Sequence, residues 1–145
     1  MMQAVIMAGG KGTRLAALTK DEIPKPMVPV AGKPLLLWQV ERLKENGITD
    51  IIMVIGHLGD KIKEYFGDGE KFGVSIRYFE ETEPLGTAGS FYYLKDMIHG
   101  DRFVMMSGDL FFDIDFQRMI RFHEEKGAVA TLFVHPNGHP FDSDL

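Results

Sequence analysis

The chain has 145 residues, of which 45% are hydrophobic, so it is long and apolar enough for one domain with a sizeable core. It contains no cysteine, which excludes disulfides and thiolate metal sites, and its net charge of −5 argues against broad nucleic-acid binding. The sequence has no apolar run near the roughly 20 residues of a membrane helix and no room for a signal peptide before residue 3, so a cytoplasmic chain is expected.

The first expected strand, residues 3–8, leads into a glycine-rich loop at residues 9–15. Three of the first four loop residues are glycines, which let a ligand approach the main chain closely. A loop of this kind can turn several N–H groups toward one anion, most often a phosphate. Arg14 adds a fixed fork of donors and Lys25 adds a mobile positive charge. The segment therefore predicts a polyphosphate site.

Strands and helices are expected to alternate along the rest of the chain. Residues 16–33 are interpreted as an irregular excursion, because prolines interrupt them. Pro34 suits the first position of a helix that runs to about Asn46, since its missing N–H is not needed there. Residues 50–55 are apolar without alternation, which is typical of a strand covered on both faces.

The later elements continue this alternation and end in a fifth strand. The alternation of strands and helices predicts an α/β fold with a mainly parallel, Rossmann-like sheet in one domain, residues 1–145. The expected elements are a helix near 58–66, a strand at 74–78, a helix from Thr87, a strand at 103–106, a helix at about 116–126 capped by Asp115, and a strand at 128–134.

The glycine loop matches neither of two common phosphate motifs. A P-loop needs Lys after its last glycine, whereas Lys11 precedes Gly12, and the dinucleotide fingerprint needs glycine where Leu15 stands. The loop instead resembles the signature of the sugar-1-phosphate nucleotidyltransferase family. The residues that carry this resemblance are Ala8-Gly9-Gly10-Lys11-Gly12-Thr13-Arg14-Leu15 and, further on, Pro24-Lys25-Pro26.

The resemblance implies a fold, a reaction and a longer chain. The fold is a three-layer sandwich of the nucleotide-diphospho-sugar transferase type. In the reaction, a sugar 1-phosphate attacks the α-phosphate of a nucleoside triphosphate and releases pyrophosphate. Residues 1–145 would be the amino-terminal, triphosphate-binding part, with the sugar-binding residues and a second metal carboxylate unassigned.

A second segment, residues 80–89, resembles the base-recognition segment of the same family. In that family a polar side chain five residues before the glycine of the Gly-Thr-Ala-Gly motif reads the base, and Glu81 has this position. An ionised carboxylate only accepts hydrogen bonds, and guanine offers two adjacent donors, whereas uracil and thymine flank one donor with acceptors. The residue type therefore favours GTP, as in mannose or heptose 1-phosphate guanylyltransferases. Glu80 and Glu83 remain alternative readers.

A third segment, Gly108-Asp109, follows the expected strand at 103–106. Magnesium prefers oxygen ligands and is usually held by one or two carboxylates together with substrate phosphates. The resemblance implies that Asp109 is this carboxylate and that Mg²⁺ is the cofactor. Asp113 is expected at the surface.

The resemblance also assigns roles to the charged residues. Arg14 would hold the departing pyrophosphate, and Lys25 would neutralise the α-phosphate region; Lys11 is equally explained as a phosphate contact or a solvated lysine. Alternatives are a catalytically silent nucleotide-sugar-binding regulatory module, and a transferase using UTP, dTTP or a non-sugar phosphate. Expected partners are the two substrates, without nucleic acid or membrane, and homo-oligomerisation stays open. The expected nucleotide-binding residues are Ala8, Gly9, Gly10, Lys11, Gly12, Thr13, Glu81, Gly86 and Thr87.

Overall fold

The computed structural model describes residues 2–10, 22–82 and 86–134, with the backbone alone for residues 86–88. Strands and helices alternate through this part of the chain, which confirms the predicted α/β class. The strands are Gln3–Met7 (β1), Pro29–Val30 (β2), Lys33–Pro34 (β3), Asp50–Ile55 (β4), Ser75–Glu80 (β5) and Phe103–Ser107 (β6). The α-helices are Leu35–Glu45 (α1), Gly59–Phe66 (α2), Gly86–Leu94 (α3) and Phe116–Lys126 (α4), and short 3-10 turns lie at Lys25–Met27 and Glu70–Phe72.

The main sheet of the described residues has the strand order β5-β4-β1-β6. All neighbouring strands are parallel, as predicted, and Ala4 of β1 aligns with Ile51 on one side and Val104 on the other. The chain thus leaves β1 toward β4 and β5, and later returns to the opposite side of β1 with β6. In open α/β sheets, ligands bind at the carboxyl ends of the strands where the order reverses, which here is between β1 and β6.

The centre of the sheet is buried on both faces, as the apolar run predicted. Successive side chains of a strand point to opposite faces, and all five from Ile51 to Ile55 have no exposed surface. Val5, Ile52, Val54 and Leu94 form the core cluster on one face. Each fully buried aliphatic side chain contributes roughly 1.5–3 kcal/mol to the stability of the fold. The strand ends that carry the polar segments are therefore attached to a stable core.

The segment before α1 is more ordered than expected. In its described part, β2 and β3 form a small antiparallel hairpin, and its turn residues Ala31 and Gly32 have φ angles of 49° and 87°. Pro34 was predicted as the first helical residue, and this was wrong by one position. It pairs with Pro29 in the hairpin and keeps an extended ψ of 141°, so the helix begins at Leu35.

The predicted strand at 128–134 is absent, because these residues have no regular structure and no hydrogen-bonded partner strand among the described residues. Apolar residues with high β-propensity form a strand only where a neighbouring strand supplies partners. The predicted cap of α4 is confirmed, since the Asp115 carboxylate accepts a hydrogen bond from the Arg118 N–H at 2.9 Å. The chain divides into two compact units, Met1–Asp113 and Ile114–Leu145. No described helix is both long and apolar enough to cross a membrane.

Candidate active site

Three predicted site segments meet at the carboxyl edge of the main sheet. Backbone hydrogen bonds continue past the strand ends: Ala8 N–H donates to Val54 O at 2.7 Å, and Gly108 N–H donates to Met7 O at 2.8 Å. Between β5 and β4, Glu81 N–H donates to Ile55 O at 2.8 Å. The main-chain positions of all three segments are therefore set by the sheet itself.

Glycines allow these segments to approach one another closely. A Cβ on Gly9 would lie 2.9 Å from Glu81 Oε2, and a Cβ on Gly56 would lie 2.8 Å from Gly9 O. A Cβ on Gly108 would lie 3.1 Å from Met7 O, whereas one on Gly10 would meet no described residue within 4 Å. Gly9 and Gly108 thus fit closely against their neighbours, while Gly10 has no close neighbour among the described residues.

Asp109 and Lys25, which are 84 positions apart in the sequence, form an ion pair at this edge. Lys25 Nζ donates to Asp109 Oδ2 at 2.5 Å, and Ser107 Oγ donates to Asp109 Oδ1 at 2.6 Å. Burial of the carboxyl raises the pKa of Asp109, but the hydrogen bonds from Lys25 and Ser107 and the charge of Lys25 outweigh that effect, so this pKa lies below its ordinary value. Asp109 is therefore an anion with a cation already beside it.

Lys25 is held by the Pro-Lys-Pro segment in a short 3-10 turn. Met27 N–H closes the turn on Pro24 O at 2.8 Å, and Pro26 and Met27 are buried beneath it. Proline restricts φ, so the backbone on either side of Lys25 has few alternatives. The motif thus anchors a flexible side chain whose ammonium group faces Asp109.

Gln39 of α1 fixes the turn that carries Asp109, and the sequence did not reveal this role. Its side chain is 3% exposed, and Nε2 donates to Ser107 O at 2.9 Å and to Leu110 O at 2.6 Å. The two carbonyls bracket Gly108-Asp109. Gln39 Oε1 is buried, and no described group donates to it. A glutamine on the apolar face of a predicted helix, between Leu36 and Leu43, was the only available signal.

Glu81 is half-buried beside Gly9, and Ser90 of α3 holds its carboxylate. Ser90, with no exposed surface, donates its hydroxyl hydrogen bond to Glu81 Oε1. The neighbouring Glu80 is exposed and pairs instead with Lys63 at 2.6 Å. Of the acidic alternatives within the described residues, Glu81 is therefore the one directed to the glycine loop.

Other predicted site residues are only partly described. Lys11, Gly12, Thr13, Arg14 and Glu83 lie outside the described residues; α3 begins at Gly86, and the Thr87 side chain is not described. Asp113 is exposed, as predicted, and pairs with Arg42. Within the ranges described, no three acidic, histidine or cysteine side chains converge as a metal cluster.

The parallel sheet, the reversal of strand order and the polar edge define an α/β protein of the Rossmann-like class. The Nucleotidyl transferase family model matches residues 3–141, and the chain belongs to this family. It is 43% identical over 129 residues to D-glycero-alpha-D-manno-heptose 1-phosphate guanylyltransferase of Campylobacter jejuni, covering 89% of this chain and 57% of that protein. It is 38% identical over 142 residues to UTP--glucose-1-phosphate uridylyltransferase of Synechocystis, covering 90% of this chain and 36% of that protein.

The fold is that of the nucleotide-diphospho-sugar transferases. The crystal structure of HddC from Yersinia pseudotuberculosis complexed with GMP-PN superposes with a TM-score of 0.75 at 33% identity. The match covers 85% of this chain and 54% of HddC. This chain thus spans between about a third and just over half of the relatives it matches.

Proposed function

We propose that this chain is the triphosphate-binding part of a sugar-1-phosphate nucleotidyltransferase and that its nucleotide is GTP. The observation that carries the proposal is the pairing of Lys25 with Asp109 next to the first residues of the glycine loop. This pairing brings a cation and a carboxylate to the edge where the strand order reverses. The heptose 1-phosphate guanylyltransferase and the uridylyltransferase similar to this chain support the reaction class.

The proposed chemistry is positioning and charge stabilisation. The attacking oxygen belongs to a sugar phosphate that is already an anion, so no general base is required. Lys25 turns from Asp109 to the α-phosphate region and lowers the repulsion between the two anions. Arg14, outside the described residues, holds the departing pyrophosphate.

The residues at the edge fit a magnesium ion. Asp109 offers carboxylate oxygens, Ser107 directs one of them, and a triphosphate would complete an oxygen ligand set. Lys25 Nζ at 2.5 Å from Oδ2 marks a position that already accommodates positive charge. Magnesium, when bound, neutralises phosphate charge and keeps the triphosphate in line.

The preference for GTP rests on Glu81. Similar proteins include both a guanylyltransferase and a uridylyltransferase, so family membership alone does not choose the base. Glu81 supplies two acceptor oxygens for the two adjacent donors of guanine, and Glu80 pairs with Lys63 instead. A mannose or heptose phosphate would then be the acceptor, and such small phosphorylated substrates suit a cytoplasmic protein. The net charge of −5 argues against nucleic acid as a partner.

Calorimetry of GTP, UTP, dTTP, CTP and ATP with this chain, with and without Mg²⁺, tests the proposal. We expect magnesium-dependent binding of triphosphate with GTP preferred. Magnesium-independent binding would contradict the role of Asp109, and a preference for UTP or dTTP would contradict that of Glu81.

Arg14→Ala should abolish pyrophosphate release from GTP and a sugar 1-phosphate in the full-length protein, and unchanged turnover would contradict its role.

A further inference from the structure

The carboxylate of Glu81 is held from two sides. Ser90, fully buried in α3, donates to Oε1, and Oε2 lies beside Gly9, where an added Cβ would come within 2.9 Å of it. The Glu81 backbone is fixed as well, because its N–H donates to Ile55 O at 2.8 Å. A side chain with three rotatable bonds thus has its backbone and its terminal group both constrained.

This arrangement leaves acceptor capacity at the carboxylate. An ionised carboxylate has about four lone-pair positions, and the Ser90 hydroxyl uses one of them. Within the described residues, Glu81 forms no ion pair with Lys or Arg. Among the described residues, a hydroxyl orients the carboxylate, and its remaining acceptor positions face no described side-chain cation.

Orientation matters for reading a base because the two guanine donors are adjacent and coplanar. A carboxylate that rotates must be ordered when the base binds, which costs free energy; one that is already oriented avoids that cost. A rotated carboxylate can also make one contact to many bases, whereas a fixed one meets both guanine donors together. Selectivity therefore depends on the group that fixes the carboxylate.

We propose that Ser90 is a specificity-determining positioning residue, which orients the Glu81 carboxylate so that it selects guanine over uracil and thymine. The inference rests on the proposed function, in which Glu81 reads the base. Ser90 acts through Glu81, because its hydroxyl donates a hydrogen bond to that carboxylate. Removal of its hydroxyl should therefore change base preference more than it changes triphosphate affinity.

Ser90→Ala tests the proposal by calorimetric affinities for GTP and dTTP in the presence of Mg²⁺. We expect the ratio of the two affinities to fall by about three- to ten-fold, the size of effect that one ordinary hydrogen bond has. Glu81→Ala should lower the ratio further, by about 10- to 100-fold, because both base contacts are lost. In the Glu81→Ala background, Ser90→Ala should have no additional effect on the ratio.

Ser107→Ala is the matched control, since it removes the same hydroxyl from the other carboxylate, Asp109. It should weaken magnesium-dependent binding of GTP and dTTP alike and leave their ratio unchanged. Ser90→Thr keeps a hydroxyl and should retain the preference for GTP. Thermal unfolding of each variant shows whether it folds. If Ser90→Thr does not fold, the comparison of Ser90→Ala in the unaltered chain and in the Glu81→Ala variant still tests the proposal.

The outcomes separate this inference from the proposed function. If Glu81→Ala removes the preference and Ser90→Ala leaves it intact, Ser90 has no positioning role, while the guanine reading stands. If Ser90→Ala weakens GTP and dTTP equally, its role is structural and the inference is wrong. If the unaltered chain shows no preference, or Glu81→Ala retains it, both the base reading and the inference fail, whereas magnesium-dependent triphosphate binding still supports the family function.

Discussion

Glu81 and Asp109 follow parallel strands at the same edge of the sheet, yet their surroundings differ. Each carboxylate accepts a hydrogen bond from a serine hydroxyl, from Ser90 and Ser107 respectively. The second oxygen of Asp109 binds the ammonium group of Lys25, whereas that of Glu81 faces the main chain of Gly9. Within the described residues, the carboxylate on one side of β1 therefore has a cation beside it, and the carboxylate on the other side has uncharged neighbours.

The difference shows that the group beside the second carboxylate oxygen determines which ligands the carboxylate can accept. A carboxylate paired with an ammonium group can exchange that cation for another, which suits a site where phosphate and metal charges must be balanced. A carboxylate beside a glycine main chain has no charge to exchange and is suited to accept hydrogen bonds from a flat, neutral ligand. Four substitutions can break or sharpen this contrast.

Asp109→Asn should have the largest effect. The amide keeps the shape of the side chain but removes the charge that binds Lys25 and that would bind the proposed magnesium ion. We expect magnesium-dependent affinity for GTP, measured by calorimetry, to fall on the order of 100-fold. Glu81→Gln, the same change on the other side, should lower the preference for GTP and leave the dependence on magnesium intact. Equal loss of magnesium dependence in both variants would contradict the different roles of Asp109 and Glu81.

Gly9→Ala should have the next largest effect, and it acts on the surroundings of Glu81. Its methyl group would lie 2.9 Å from Glu81 Oε2 and 3.2 Å from Ile55 C, so the neighbours must shift. We expect a loss of about 1–3 kcal/mol in the free energy of unfolding in urea. Gly10→Ala is the control, because a Cβ there meets no described residue within 4 Å, and this variant should change the unfolding free energy by less than about 1 kcal/mol. Similar losses in the two variants would contradict the close fit at Gly9.

Gln39→Met should have an intermediate effect, on the Asp109 side alone. It removes the two hydrogen bonds that bracket Gly108-Asp109 and also the unpaired Oε1, so the expected loss of stability is only about 1 kcal/mol. Because the turn loses its support, magnesium-dependent affinity for GTP should fall about 10-fold. The ratio of GTP to dTTP affinities should not change, and a change in that ratio would mean that the two sides are coupled.

Lys25→Met should give the smallest change in stability, and this change depends on pH. Since the folded-state pKa of Asp109 is lowered, the ion pair stabilises the fold above the pKa of an unfolded aspartate, about 4, and this is lost as the pH falls through the folded-state value. The variant should raise the pKa of Asp109 toward its ordinary value, as measured by NMR titration. The difference in unfolding free energy between the two proteins should be below about 1 kcal/mol and shrink in acid. A difference that grows in acid would contradict the pairing.

The sequence predicted the sheet and the charged groups better than it predicted their partners. The apolar run at 50–55 specified a strand buried on both faces, and the motif residues Lys25 and Asp109 do meet. Gln39 and Ser90 were missed because nothing in their local pattern shows which carbonyl or carboxylate they contact. The strand predicted at 128–134 failed for a related reason: its composition suits a strand, but pairing depends on a neighbour that composition does not supply.

The ion pair between Lys25 and Asp109 has a consequence for the rate at which the proposed triphosphate ligand would arrive. The chain as a whole carries a net charge of −5, which repels anions at a distance. At this edge the two opposite charges cancel, so an approaching triphosphate does not meet a bare carboxylate. Local repulsion during approach is thereby reduced before any metal arrives, and added salt should speed association by screening the remaining long-range repulsion.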